Sequence, residues 1–227
     1  MSNTCYMCDA PATGDEHVPP RCLFPEKKDI PELNLRKNLI SVPSCDTHNS
    51  KKSKDDEYLL FVLVTHFENN PIALDQFRLK VLRALKRRPN LLSIYKGETK
   101  HVFLNGEPTL AFKIDRPRIA RELDHIARGL YFHEFKRPWT KRINIHSPSM
   151  FALNRHDAQF INRITQNMAS FWNMLFNRDP MKGDNPEVFL YQLYADPSKN
   201  TLVVKMCFYQ GVEVIALSDL KLKEDAK

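Results

Sequence analysis

Two short pairs of soft ligands, Cys5-x2-Cys8 and Cys45-x2-His48, bracket a segment that carries Glu16-His17-Val18-Pro19-Pro20. Thiolate sulfur and imidazole nitrogen in two such pairs supply the four donors of a closed tetrahedral zinc site. Behind the second pair comes Asn49-Ser50-Lys51-Lys52-Ser53. A zinc staple needs neither the Glu-His dipeptide nor the Asn that follows its last ligand. An imidazole titrates near neutral pH and can take a proton from water, which fits His17 for general-base work. Glu16 and Asn49 offer the oxygen donors that a hard cation such as Mg²⁺ or Mn²⁺ takes while keeping several of its waters. The plainer roles for these side chains are an alternative zinc ligand for His17, a surface acid for Glu16 and a helix-start cap for Asn49. Cys22 sits in the apolar run RCLFP and reads as a packed thiol; Cys207, in VVKMCFY, reads as a core strand residue.

These residues need a frame. Pro11, Pro19, Pro20, Pro25, Pro31 and Pro43 break any long helix in residues 1–52, so the metal must hold a segment that buries little apolar surface alone. A short strand is expected at 38–42, then helices at 54–67 and 72–87. Beyond Pro89 a hairpin is expected with strands 102–104 and 109–114 around Asn105-Gly106. A helix at 117–132 and a strand at 143–146 follow. A helix at 156–177 carries Phe160, Ile161, Ile164, Met168, Phe171 and Trp172 at helical spacing on its expected buried side. The last part reads as an antiparallel meander of 188–194, 201–208 and 212–217, with turns at Asp196-Pro197-Ser198-Lys199-Asn200 and Gln210-Gly211.

The segments EHVPPRCLFP and LISVPSCDTHNSKKSKDDEYL resemble the boxes of the HNH, or ββα-metal, endonuclease family. In that family a hairpin ends in a short helix, and a zinc often clamps the ends of a small core. The resemblance covers about residues 1–60. It implies His17 as general base, Glu16 and Asn49 as ligands of a catalytic Mg²⁺ or Mn²⁺, and Cys5, Cys8, Cys45 and His48 as a structural zinc site. The Asn-x-x-Lys-Ser run also resembles the HNH domain of CRISPR effector nucleases, where the Asn binds magnesium. Two positions depart from the pattern: Ile40 stands where the family's middle Asn is usual, with Asn38 two residues earlier, and the fourth zinc ligand is His48 instead of Cys. The implied activity is hydrolysis of phosphodiester bonds, in DNA before RNA, in a setting such as phage defence or restriction. The alternative is a zinc-dependent nucleic-acid-binding protein without catalysis.

Composition sets the outer bounds. The 227 residues carry a net charge of +7, with 42% hydrophobic and 27% charged side chains, as in ordinary soluble domains. Residues 1–60 hold eight Lys/Arg against ten Asp/Glu, about −2, so the remainder carries about +9. Phosphate attraction is therefore expected mainly from the later part of the chain. Lys51 and Lys52 stand beside the candidate site, and Arg83 and Arg87 lie on the polar side of the second expected helix; all four are candidate nucleic-acid contacts, a solvated basic face being their plain alternative. No apolar run is long enough to span a bilayer, and MSNTCYMCDA has no signal-peptide pattern. Five cysteines in this arrangement do not form a disulfide framework, so a reducing cytoplasm is expected. The expected fold class is α+β: a small zinc-stapled module at 1–60, then a mixed helical and antiparallel-sheet domain at 61–227. That second domain would bind or regulate, with a protein or small molecule as its candidate regulator.

Overall fold

The computed structural model describes residues 4–49, 53–95, 97–104, 106–152, 156–176 and 179–218. It is a mixed α and β fold with antiparallel sheets and a Cys/His cluster near its N-terminus. Strand β1 (Gly14–His17) pairs antiparallel with β2 (Ser41–Ser44), Gly14 opposite Ser44 and His17 opposite Ser41. The short helix α1 (Asp46–Asn49) follows directly, then α2 (Ser53–Val64). The strand expected at 38–42 starts three residues later, because Asn38 adopts a left-handed turn conformation (φ 41°) that an extended strand excludes.

The helix expected at 72–87 is three pieces. Helix α3 (Pro71–Gln76) is capped by Asn70, whose side chain accepts from Ala73 N, and Pro71 fills a first-turn position that needs no N–H. A π turn, Phe77–Val81, interrupts it where the Leu82 amide reaches back to Phe77 O, and α4 (Leu82–Arg87) continues. Helix α5 (Asn90–Tyr95) and the hairpin β3 (Thr99–Leu104) and β4 (Glu107–Phe112) come next, turning at Gly106 with φ 86°. Helix α6 (Arg116–Phe135) starts on Asp115, which accepts from Arg118 N, and ends at Lys136 in the left-handed conformation.

The C-terminal sheet has the order β5-β9-β8-β7-β6, all antiparallel: β5 (Ile143–His146), β6 (Lys182–Asn185), β7 (Phe189–Asp196), β8 (Thr201–Phe208) and β9 (Val212–Ser218). Strand alternation splits its side chains between two layers. Leu202, Val204, Met206, Phe208, Val212, Val214 and Ala216 join the main core with α2, α6 and the N-terminal hairpin. Val203, Ile215 and Leu217 face the other way, under helix α7 (Ala158–Phe176). That helix seats Ala169 and Phe176 on the sheet, with Met168 and Trp172 beside them. Phe160, Ile164 and Phe171, expected on its buried side, are exposed. Sequence periodicity marks an apolar arc, and here the arc is wider than the strip of sheet available to cover it.

The division expected at residue 60 falls inside α2, and one buried cluster runs from Cys5 and Tyr6 through α2 and α6 to Ala216. Polar ties cross the same line. Tyr209 Oη donates to Leu23 O at 2.5 Å, and the Asn185 amide both donates to Lys37 O at 2.8 Å and accepts from Lys37 N at 3.0 Å. Among the described residues no helix is long and apolar enough to cross a membrane.

Candidate metal centre and the residues beside it

The first ligand pair lies on a tight knuckle. Cys5 N donates to Ala10 O at 2.9 Å, Met7 N points at Cys5 Sγ at 3.4 Å, and Tyr6 N ties the knuckle to Pro43 O of β2 at 2.8 Å. The second pair sits where β2 turns into α1. His48 N and Asn49 N both donate to Cys45 O at 3.0 Å, which curls one helical turn and brings His48 back over Cys45. The four donor atoms, Sγ of Cys5, Cys8 and Cys45 with Nδ1 of His48, all lie within 4.8 Å of one another.

Their edges test whether zinc fits. Zn–S bonds of about 2.3 Å and Zn–N bonds of about 2.0 Å at tetrahedral angles imply S···S edges of about 3.8 Å and S···N edges of about 3.5 Å. Cys8 and Cys45 sulfurs are 3.9 Å apart, and Nδ1 of His48 is 3.5, 3.7 and 3.2 Å from the sulfurs of Cys5, Cys8 and Cys45. These four edges match a tetrahedron of the size that zinc takes. Burial opposes ionisation of the Cys45 thiol, but hydrogen bonds from the His48 backbone and imidazole and from the Cys5 and Cys8 thiols outweigh it, bringing it down to about 6. Thiolate is the form a metal takes. Cys22 is not in the cluster: its thiol donates to Asp56 O at 3.5 Å and burial pushes it up to about 12, as the packed reading required.

Beside the cluster, β1 presents its two candidate residues in opposite directions. Glu16 pairs across the hairpin with buried Val42 and faces inward. There it accepts a hydrogen bond from Tyr6, a fully buried residue. Burial and the Glu16 charge push the Tyr6 phenol well up, which keeps it protonated as a donor. Glu122 of α6, only 2% exposed, adds a second carboxylate to that interior. Alternation turns His17 to the other side, with Asp15. His17 Nδ1 is buried and has no hydrogen-bond partner among the described residues. Asn49 is exposed, and its amide lies over Gly14, 3.7 Å from where a Cβ would stand. Gly14 and Glu16 share a strand face, so Asn49 lies on the Glu16 side of β1, over the position two residues before it.

The remaining expectations sort by partner. Arg83 is held by Asp29 of the N-terminal loop through paired contacts of 3.2 and 3.4 Å, so this guanidinium ties α4 to the loop while staying part-exposed. Lys80 Nζ, from the π turn before it, donates to Cys22 O at 2.8 Å. Arg87 is exposed at the end of α4. Lys51 and Lys52 lie outside the described residues. Asn38 ends up in the turn before β2, away from any ladder position.

Three neighbours of the centre escaped the sequence reading: Tyr6, Glu122 and His125. The His125 ring stands 6.5 Å from that of His48, edge to face, and 3.9 Å from the Glu122 carboxylate. Their signal is the i,i+3 spacing of Glu122 and His125, which puts both on one face of α6. Comparisons with protein-family models, with curated proteins and with solved structures gave no match to this chain.

Proposed function

We propose that this protein is a metal-dependent endonuclease of the ββα-metal kind, hydrolysing phosphodiester bonds in DNA before RNA, with β1, β2 and the helical segment behind them as its catalytic module. The observation that carries the reading is His17 Nδ1. Buried polar atoms in folded proteins nearly always find a partner, ordered water included; Trp139 Nε1 and Gln76 Oε1 are unpaired in the same way among the described residues, so what sets His17 apart is its surroundings. Here the orphan is an imidazole nitrogen, next in sequence to a carboxylate, on a hairpin whose end a zinc tetrahedron clamps. His17 Nδ1 takes a proton from a water molecule, the water oxygen bonds to phosphorus, and the P–O3′ bond breaks with its electron pair leaving on the 3′ oxygen. Glu16 and Asn49 are the oxygen donors on one side of β1 that would hold a Mg²⁺ or Mn²⁺, and such an ion when bound supplies positive charge to the phosphate and the leaving oxygen. The zinc site is closed, with four protein ligands, so its part is to fix the ends of the module.

One observation favours a second reading, a zinc-stapled nucleic-acid-binding protein without catalysis: Glu16 faces inward onto Tyr6, on the other side of β1 from His17. Incubating plasmid DNA and RNA with the protein and Mg²⁺, Mn²⁺ or EDTA separates the two. Cleavage that needs Mg²⁺ or Mn²⁺ and falls by about 10²-fold or more in His17→Ala, with zinc content and DNA affinity retained, is the expected result. Equal nicking by wild type and variant assigns the activity elsewhere, and no cleavage with any metal gives the place to the binding reading.

A further inference from the structure

Helix α7 has two apolar faces, and the sheet covers one. The covered face is Met168, Ala169, Trp172 and Phe176. On the adjoining face Phe160, Ile164, Phe171, Met174 and Leu175 are each between 41% and 66% exposed. Phe160, Ile164, Asn167, Phe171 and Met174 follow one another at alternating spacings of four and three residues, the seam of a two-helix coiled coil. Its one polar member, exposed Asn167, stands at the centre.

We infer that this face of α7 pairs antiparallel with α7 of a second copy of the chain, about a two-fold axis at Asn167. The order of the seam supports a copy of itself over a foreign partner. A two-fold axis at Asn167 sets Phe160 level with Met174 of the second copy and brings Ile164 within one residue of Phe171, large beside large, with Asn167 meeting Asn167. Self-complementarity of this kind is what a two-fold interface demands. A single polar residue in such a seam fixes register, because an Asn opposite an apolar side chain loses its hydrogen bonds. Charge agrees: Arg163 is the only charged residue in Ala158–Phe176. Antiparallel pairing keeps it away from its own copy, whereas parallel pairing sets the two side by side. A lipid surface fits poorly, since helices that lie on membranes carry several Lys or Arg on the polar face. Area agrees with a weak, reversible dimer: the exposed portions of the five apolar side chains, Leu175 at the seam's edge included, amount to on the order of 500 Å² per copy, and two copies reach roughly the 1,000 Å² floor for a specific contact.

Sedimentation of the full chain over about 1–100 μM is the first test. The pairing predicts a dimer that Phe171→Glu converts to a monomer with an unchanged circular-dichroism spectrum, the substituted residue being exposed. Asn167→Cys then reports geometry: mild oxidation should link two chains through position 167, reversed by reductant, while Phe160→Cys, about 21 Å from its own copy in this arrangement, should not link. A monomer at every concentration overturns the inference. So does linking through Phe160→Cys as readily as through Asn167→Cys, which marks parallel pairing. Flotation of the monomeric chain with phosphatidylcholine vesicles would assign the face to lipid instead.

Discussion

Half-buried Glu16 accepts from buried Tyr6 beside a second carboxylate, the buried Glu122. The Tyr6 phenol donates to Glu16 in this interior, and removing its hydroxyl leaves the carboxylate there with less compensation. Tyr6→Phe should therefore lower stability by about 1–3 kcal/mol, read as a shift in the urea midpoint at unchanged slope. No shift would mean that Glu16 reaches water and metal without Tyr6. Histidines set the acid side of the stability profile. Burial lowers the pKa of His66 against the smaller opposing effects of Glu68 and the Ser149 backbone, and burial together with Arg116 lowers that of His146. A folded pKa below the unfolded value of about 6.5 means that the unfolded chain binds more protons in that window. The stability is complete above about pH 6.5 and is lost as pH falls towards the depressed folded values. Glu26, held low by its hydrogen bond from Lys28, acts only below its unfolded value of about 4.3. The urea midpoint should thus fall between pH 7 and pH 5, and His146→Gln should flatten that fall. Following zinc content in the same samples keeps loss of metal from being read as histidine protonation.

Helix α6 meets the N-terminal hairpin where no side chain intervenes. A Cβ on Gly129 would stand 2.6 Å from Cγ2 and 2.8 Å from Cγ1 of Val18, the residue that follows His17. Gly129→Ala must push helix and hairpin apart, an overpacking cost of about 1–3 kcal/mol visible in thermal melts, even though Ala is the better helix former. An unchanged or raised melting temperature would show that the contact is loose. This contact also marks the limit of sequence reading. The zinc ligands were legible because four soft donors in two short pairs have one obvious use, and the meander of β7, β8 and β9 because alternation and turn residues agree. Helix α6 was legible as a helix, but not as the wall behind Glu16, since nothing in local periodicity says which distant element a glycine touches. Arg83 shows the same limit: on a helix face it reads as basic surface, and only the loop's return through Asp29 turns it into a tie. Short β6 and α5, with no alternation or long apolar stripe, left no pattern to find.

At the scale of the molecule, the N-terminal 49 residues and the sheet are stability partners. The tetrahedral cluster implies about one equivalent of zinc in protein purified without added metal, and a chelator strong enough to remove it should lower the melting temperature. The ties from Leu23 to Tyr209 and from Lys37 to Asn185 extend the argument beyond the metal. A chain cut at residue 60 loses the last turn of α2 and all of α6, so Leu23, Val42, Tyr58 and Leu59, each buried in the full chain, face water. Such a fragment should bind zinc through its four ligands yet show no cooperative melt. A fragment that melts cooperatively would instead make the N-terminal module independent. Charge gives the full chain its own signature, because residues 61–227 hold the positive excess of about +9 while residues 1–60 carry about −2. If exposed Arg87 and its basic neighbours meet a nucleic-acid backbone, affinity should fall with salt at a log–log slope of about −0.9 per phosphate neutralised, and Arg87→Ala should reduce that slope by about one. Arg83→Ala should act through a different route. With the Asp29 tie removed it should lower stability while leaving the salt slope unchanged, so measuring slope and melt for both variants tests whether one arginine meets phosphate and the other serves the fold.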